Sequence, residues 1–181
     1  MDIVVDTCAA IHAQSMTAGA GTLLELLDTV CGRPVYLLTR AVQTECVRHG
    51  LSQWLTQLED ARRLDVRKMD FRQAANRVRC LEAKLGGLAP GINDTGLLIL
   101  AQESSAPLIT DDAALYHAAM AEGVVCCDLL DVCLAAEHRG FLARSDTLEF
   151  FAYLQRPAPH YLPFGWKALH QQGYLWPADH E

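Results

Sequence analysis

Asp6, Glu45, Asp94 and Asp112 are the residues of this chain whose surroundings suggest chemistry rather than solvation. Twenty-two acidic residues are present, so position has to sort them. Asp6 closes the apolar run Ile3-Val4-Val5, and Glu45 stands between Val42 and Val47. Asp94 opens the stretch Leu97-Leu98-Ile99-Leu100-Ala101, while Asp111 and Asp112 follow Leu108-Ile109-Thr110. Carboxylates gathered beside apolar segments raise one another's pKa and resist ionisation. A divalent cation reverses that penalty and takes the same oxygens as ligands. Each acid alone has a simpler reading, since Asp94 or Asp112 could merely cap a helix N-terminus. The four together, in matching places, favour a metal site.

Those places follow from the elements. Residues 2–6, 34–38, 107–110 and 124–127 read as short strands rich in β-branched and apolar residues. Between and after them, 22–30, 40–60, 70–85, 94–104, 112–122 and 128–138 carry apolar residues at spacings of three and four, the helical signature. Buried strands alternating with helices imply an α/β fold with a central, mostly parallel sheet covered on both faces. Ligands of such a sheet bind beyond the carboxyl ends of the strands. Asp6 ends the first strand and Asp111–Asp112 follow the third. Glu45 lies one to two turns into the helix after the second, and Asp94 in the first turn of the helix before the third. Right-handed crossovers bring all four to one edge. Gly86 to Gly91 reads as a loop, with Asn93 as N-cap of the helix carrying Asp94.

The length of 181 residues suits one domain, expected over 1–143, with an extension over 144–181. That extension begins with a helix near 145–155 and continues into a tail holding Tyr161, Pro163, Phe164, Trp166, Tyr174 and Trp176. It is expected to pack on the domain or on a partner. No stretch approaches the ~18 uninterrupted apolar residues of a membrane helix, and the start at Met1-Asp2-Ile3 lacks a secretory leader. A cytoplasmic protein without a membrane partner is the expectation. Seven cysteines, in no Cys-x-x-Cys pair and at no zinc spacing, read as inert buried thiols. The net charge of −7 opposes binding to a polyanion, yet residues 62–84 hold eight basic side chains against three acidic ones. That segment is either a solvated helix face or an arm that follows phosphates.

Other chemistries fit less well. A dehalogenase-like phosphatase needs two aspartates two apart after its first strand, and Asp2 and Asp6 are four apart. Gly19-Ala20-Gly21 lacks a third glycine and a preceding strand, which excludes a dinucleotide loop. His12, His49 and His117 share no triad logic with a serine or reactive cysteine.

The ordered motifs Val4-Val5-Asp6-Thr7, Glu45 within Arg40-Ala41-Val42-Gln43-Thr44-Glu45, Asn93-Asp94-Thr95-Gly96-Leu97 and Leu108-Ile109-Thr110-Asp111-Asp112 resemble those of the PIN-domain nuclease family, in particular its VapC-like toxin ribonucleases. The resemblance covers roughly residues 2 to 140. It implies a three-layer α/β/α fold and an endoribonuclease dependent on Mg²⁺ or Mn²⁺. Asp6, Asp94 and Asp112 would hold the metal, Glu45 would handle the attacking water, and Thr7, Thr110 and Asp111 would support them. RNA is the implied substrate; an antitoxin protein and a second copy of the chain are the implied partners. A processing or defence nuclease, and a silent binding module on the same scaffold, are the alternatives.

Overall fold

A computed structural model describes residues 1–15, 17–18 and 21–155. Its centre is a sheet of five parallel strands in the order β5-β4-β1-β6-β7. These are β1 (Asp2–Val5), β4 (Val35–Thr39), β5 (Leu64–Arg67), β6 (Leu108–Ile109) and β7 (Cys126–Cys127), while β2 (Thr17–Ala18) and β3 (Gly21–Thr22) form a separate antiparallel pair. β1 occupies the middle, pairing Val4 with Leu37 on one side and with Leu108 on the other. Central parallel strands are covered on both faces, and Ile3, Val4, Val5, Leu37, Leu38 and Leu108 are accordingly buried. Each such side chain contributes roughly 1.5–3 kcal/mol by leaving water.

Helices α1 (Thr7–Ser15) and α2 (Leu23–Val30) link β1 to β4, and α3 (Arg40–Arg48) and α4 (Ser52–Asp60) link β4 to β5. Next, α5 (Phe71–Leu85), a 3-10 turn at Gly86–Leu88 and α6 (Ile92–Ser104) lead to β6, and α7 (Ala113–Ala121) leads to β7. α8 (Leu129–His138) and α9 (Arg144–Gln155) follow. α1 packs on α2 and α3 and α2 on α8, whereas α6 packs on α5 and α7, so the helices form two groups. Right-handed crossovers put those groups on opposite faces, giving the three-layer α/β/α arrangement. The chain leaves β1 toward β4 and later returns to pair β6 with β1's other edge. That reversal is a topological switch point beyond the carboxyl ends of β1 and β6, the place where ligands of open parallel sheets bind.

Several boundaries depart from the sequence reading. The helix expected over 40–60 is two helices broken at His49-Gly50-Leu51, where Gly50 takes φ 84°, a conformation that favours glycine. The strand expected over 107–110 is only Leu108–Ile109, which leaves Thr110 free to turn its side chain inward. Asn93 is not an N-cap; the helix begins two residues earlier, at Ile92, and Gly91 holds the cap position. β5 lies inside the basic segment, and α1 forms where the sequence pattern predicts no element. The aromatic tail, from 156 onward, lies outside the described residues, as do Gly19 and Ala20. Among the described residues, no helix is long and apolar enough to cross a membrane.

Candidate functional site

Asp6 follows β1 directly, where the strand's hydrogen bonds to β6 end with the Asp6 N–H donating to the Ile109 carbonyl at 3.0 Å. The residue is only 6% exposed. Burial pushes its pKa up, and the Asp112 carboxylate adds to that; donors from Cys8, Thr110 and the Thr7 backbone pull the other way. The Cys8 thiol donates to Oδ2 at 2.6 Å and the Thr110 hydroxyl to the same oxygen at 2.9 Å. Burial and the neighbouring Asp6 hold the Cys8 thiol far above its ordinary pKa, so it remains a donor. Cysteine here supplies a hydrogen bond, which the reading of all seven thiols as inert did not anticipate.

Thr110 ties two acids together. While its hydroxyl donates to Asp6, its oxygen accepts the Asp112 N–H at 3.0 Å. Asp112 is the N-cap of α7, with Oδ1 accepting the Leu115 N–H at 2.8 Å. The capping role is therefore real, and it engages one oxygen, leaving Oδ2 with no hydrogen bond among the described residues. Glu45, exposed on α3, is steadied from α1 by the Thr7 hydroxyl, which donates to Oε2 at 2.9 Å.

Asp94 sits in the first turn of α6, half-buried. Its pKa is pushed up to about 6, first by burial, then by the charges of Asp6 and Asp112, and to a lesser degree by Glu45. A hydrogen bond from the Gly91 backbone opposes the shift. Asp94 thus feels all three other acids singled out from the sequence. Asp111 turns elsewhere: buried, it meets His12 Nδ1 at 2.9 Å and accepts the Leu129 N–H at 3.1 Å, joining α1 to the start of α8.

The donor set is all carboxylate and hydroxyl oxygen, the chemistry of Mg²⁺ and Mn²⁺ rather than of softer metals. Two of the acids, Asp6 and Asp94, resist ionisation where they stand, and a positive charge among them would remove the resistance. Among the described residues no three His, Cys, Asp or Glu side chains form a closed ligand group. Mg²⁺ asks for little closure, because it keeps several waters and takes one or two carboxylates. The donor chemistry fits such an ion.

The fold is that of an α/β protein, with Asp6 and Asp112 following the strands on either side of the switch point of its parallel sheet. No protein-family model matches the sequence, and no curated protein matches it. Among solved structures the chain is similar to a PilT N-terminus domain protein from the hyperthermophilic archaeon Sulfolobus solfataricus, at 16% identity and a TM-score of 0.47, over 75% of this chain and 93% of that one.

Proposed function

We propose that this chain is a metal-dependent endoribonuclease, hydrolysing RNA phosphodiester bonds at the rim occupied by Asp6, Glu45, Asp94 and Asp112. The observation that carries the reading is the electrostatic convergence at Asp94, whose raised pKa reflects three separated acids as well as burial. Asp6 and Asp94 would hold a divalent cation, with Asp112 joining directly or through water. When bound, such an ion lowers the pKa of its water and neutralises charge on phosphoryl oxygens.

The chain's own residues prepare the rest. Thr110 and Cys8 both donate to Asp6 Oδ2. Both bonds fix the carboxylate through one oxygen. Thr7 fixes Glu45 through Oε2, so that Oε1 is the oxygen able to accept a proton from an attacking water. The water oxygen then bonds to phosphorus, the bond to the departing ribose oxygen breaks, and that oxygen takes up a proton from solvent. The resemblance to toxin ribonucleases extends the proposal to a cytoplasmic toxin restrained by an antitoxin and acting as a homodimer. Growth arrest on expression, relieved by a cognate small protein, tests that extension.

For the chemistry, the test is Asp6→Asn, which keeps the shape and an oxygen to accept from Cys8 and Thr110 but removes the charge. Cleavage of labelled RNA with Mn²⁺ is expected to fall at least 10²-fold with the circular dichroism spectrum unchanged. EDTA should stop the native chain and Mn²⁺ restore it. Full activity of the variant, or cleavage that ignores EDTA, would remove the proposal's basis.

A further inference from the structure

The carboxyl rim continues past the acids to a short stretch with no part in the site above. β5 ends at Arg67, and Lys68, Met69 and Asp70 lead into α5, whose first residue is Phe71. Asp70 fixes that helix start by accepting the N–H groups of Arg72 and Gln73 at 2.8 and 3.2 Å. Phe71 is consequently held in place while 62% exposed, an unusual setting for an aromatic ring.

The stretch lies between two elements that carry site acids. Met69 presses on α6, since a Cβ at Gly96 would overlap its sulfur, and Gly96 is two residues from Asp94. On the other side Lys68, Met69 and Phe71 line a cleft of about 360 Å³ with Arg40, Ala41 and Thr44 of α3, and Thr44 precedes Glu45. Many cations of the basic segment are occupied: Arg63 by Asp28, Arg67 by Asp65, and Arg77 and Lys84 by Glu122. The side chains of Arg40 and Lys68 are exposed and make no hydrogen bond or ion pair among the described residues.

We infer that this cleft binds unpaired RNA beside the bond to be cut, with a base stacked on Phe71 and phosphates against Arg40 and Lys68. The inference rests on the nuclease reading for its substrate, and it specifies the single-stranded form. An exposed ring offers a stacking platform that tolerates any base, and only an unpaired base has a face free to use it. Two cations unengaged among the described residues, on a chain of net charge −7, supply the local attraction that the molecule as a whole does not.

The test is binding of the full-length chain, in EDTA, to a fluorescent oligouridylate of about 12 nucleotides and to its duplex with a complementary strand. Phe71→Ala should weaken single-strand binding about tenfold, a stacking contribution for one base, and Phe71→Tyr should restore it. Arg40→Ala with Lys68→Ala should reduce the slope of log affinity on log salt by about 1.4, or roughly 0.7 for each phosphate contact. In Mn²⁺, Phe71→Ala should raise KM more than it lowers kcat. Single-strand binding that ignores all three changes overturns the inference, as does an equal effect on the duplex or an RNA-independent dimer lost in Phe71→Ala. These outcomes leave the nuclease reading intact if RNA is still cleaved. Conversely, Phe71-dependent binding in a chain that cleaves nothing with Mn²⁺ retains the cleft and removes the nuclease.

Discussion

Thr110 is the residue on which the geometry of the rim turns, because one hydroxyl serves Asp6 as donor and the Asp112 backbone as acceptor. Thr110→Val keeps the shape and removes both hydrogen bonds. A buried carboxylate oxygen loses one of its two side-chain donors and an N–H loses its acceptor, so stability should fall by about 1–3 kcal/mol. Since that donor holds the Asp6 pKa down against burial, its loss should raise the pKa further. The acid limb of the cleavage profile should then move to higher pH. Cys8 allows the same reasoning without the change at Asp112. Cys8→Ser retains a donor and should stay near native, while Cys8→Ala should shift the acid limb upward as Thr110→Val does, with the Asp112 N–H still satisfied. Profiles of the three variants that overlay the native one would show that neither residue tunes Asp6.

Asp111 and Asp112 are adjacent acids committed to different elements. Asp112 starts α7 at the rim, and Asp111 links His12 of α1 to the first N–H of α8. Asp111→Ala leaves the buried Leu129 N–H without an acceptor, a loss of about 1–3 kcal/mol, or a melting temperature lower by roughly 2–12 °C for a chain of this size. Its cleavage per folded molecule should remain within severalfold of native, whereas Asp112→Ala should lose activity far out of proportion to its stability. The reverse pattern would assign the site acid to Asp111. Spacing alone could not separate the two, because which residue is the cap of α7 and which is buried against His12 depends on β6 ending at Ile109. The strands ahead of Asp6 and Thr110 were legible, since short β-branched apolar runs have few other uses. β5 was not: Leu-Asp-Val-Arg is a half-buried edge strand whose alternating charges read as part of a basic face. α1 escaped because Ala9, Ala10 and Ala13 are buried in a stretch of small residues that shows no sharp polar and apolar stripe. Strand ends and crossovers give the expectation that the acids share one edge, whereas the Thr7–Glu45 and Cys8–Asp6 hydrogen bonds depend on side-chain directions that spacing does not encode.

The acids also mark the stability of the whole chain, and in a direction that a bound cation would reverse. Asp94 is raised to about 6 and Asp6 is raised by burial, so both are more easily protonated folded than unfolded. A group of this kind supports folding fully below its ordinary value, and the support disappears as pH rises through the folded value. Without metal, the melting temperature of the native chain relative to Asp94→Asn should therefore fall between about pH 4.5 and pH 6.5 and level off above that. Glu122 runs the opposite way, since Lys84 and Arg77 hold its pKa below the ordinary carboxylate value; its contribution is lost only at more acidic pH, outside that window. Asp131 is also raised, by burial, but it is common to both chains and cancels in the comparison. Mn²⁺ at about a hundred times its dissociation constant should add roughly 2.7 kcal/mol, or about 5–11 °C. Protons compete for the same oxygens, so the gain should be large near pH 7.5, small near pH 5, and much reduced in Asp94→Asn. If the native chain and Asp94→Asn respond alike to pH and to Mn²⁺, the acids do not share an ion, and the rim is held by its caps and hydrogen bonds alone.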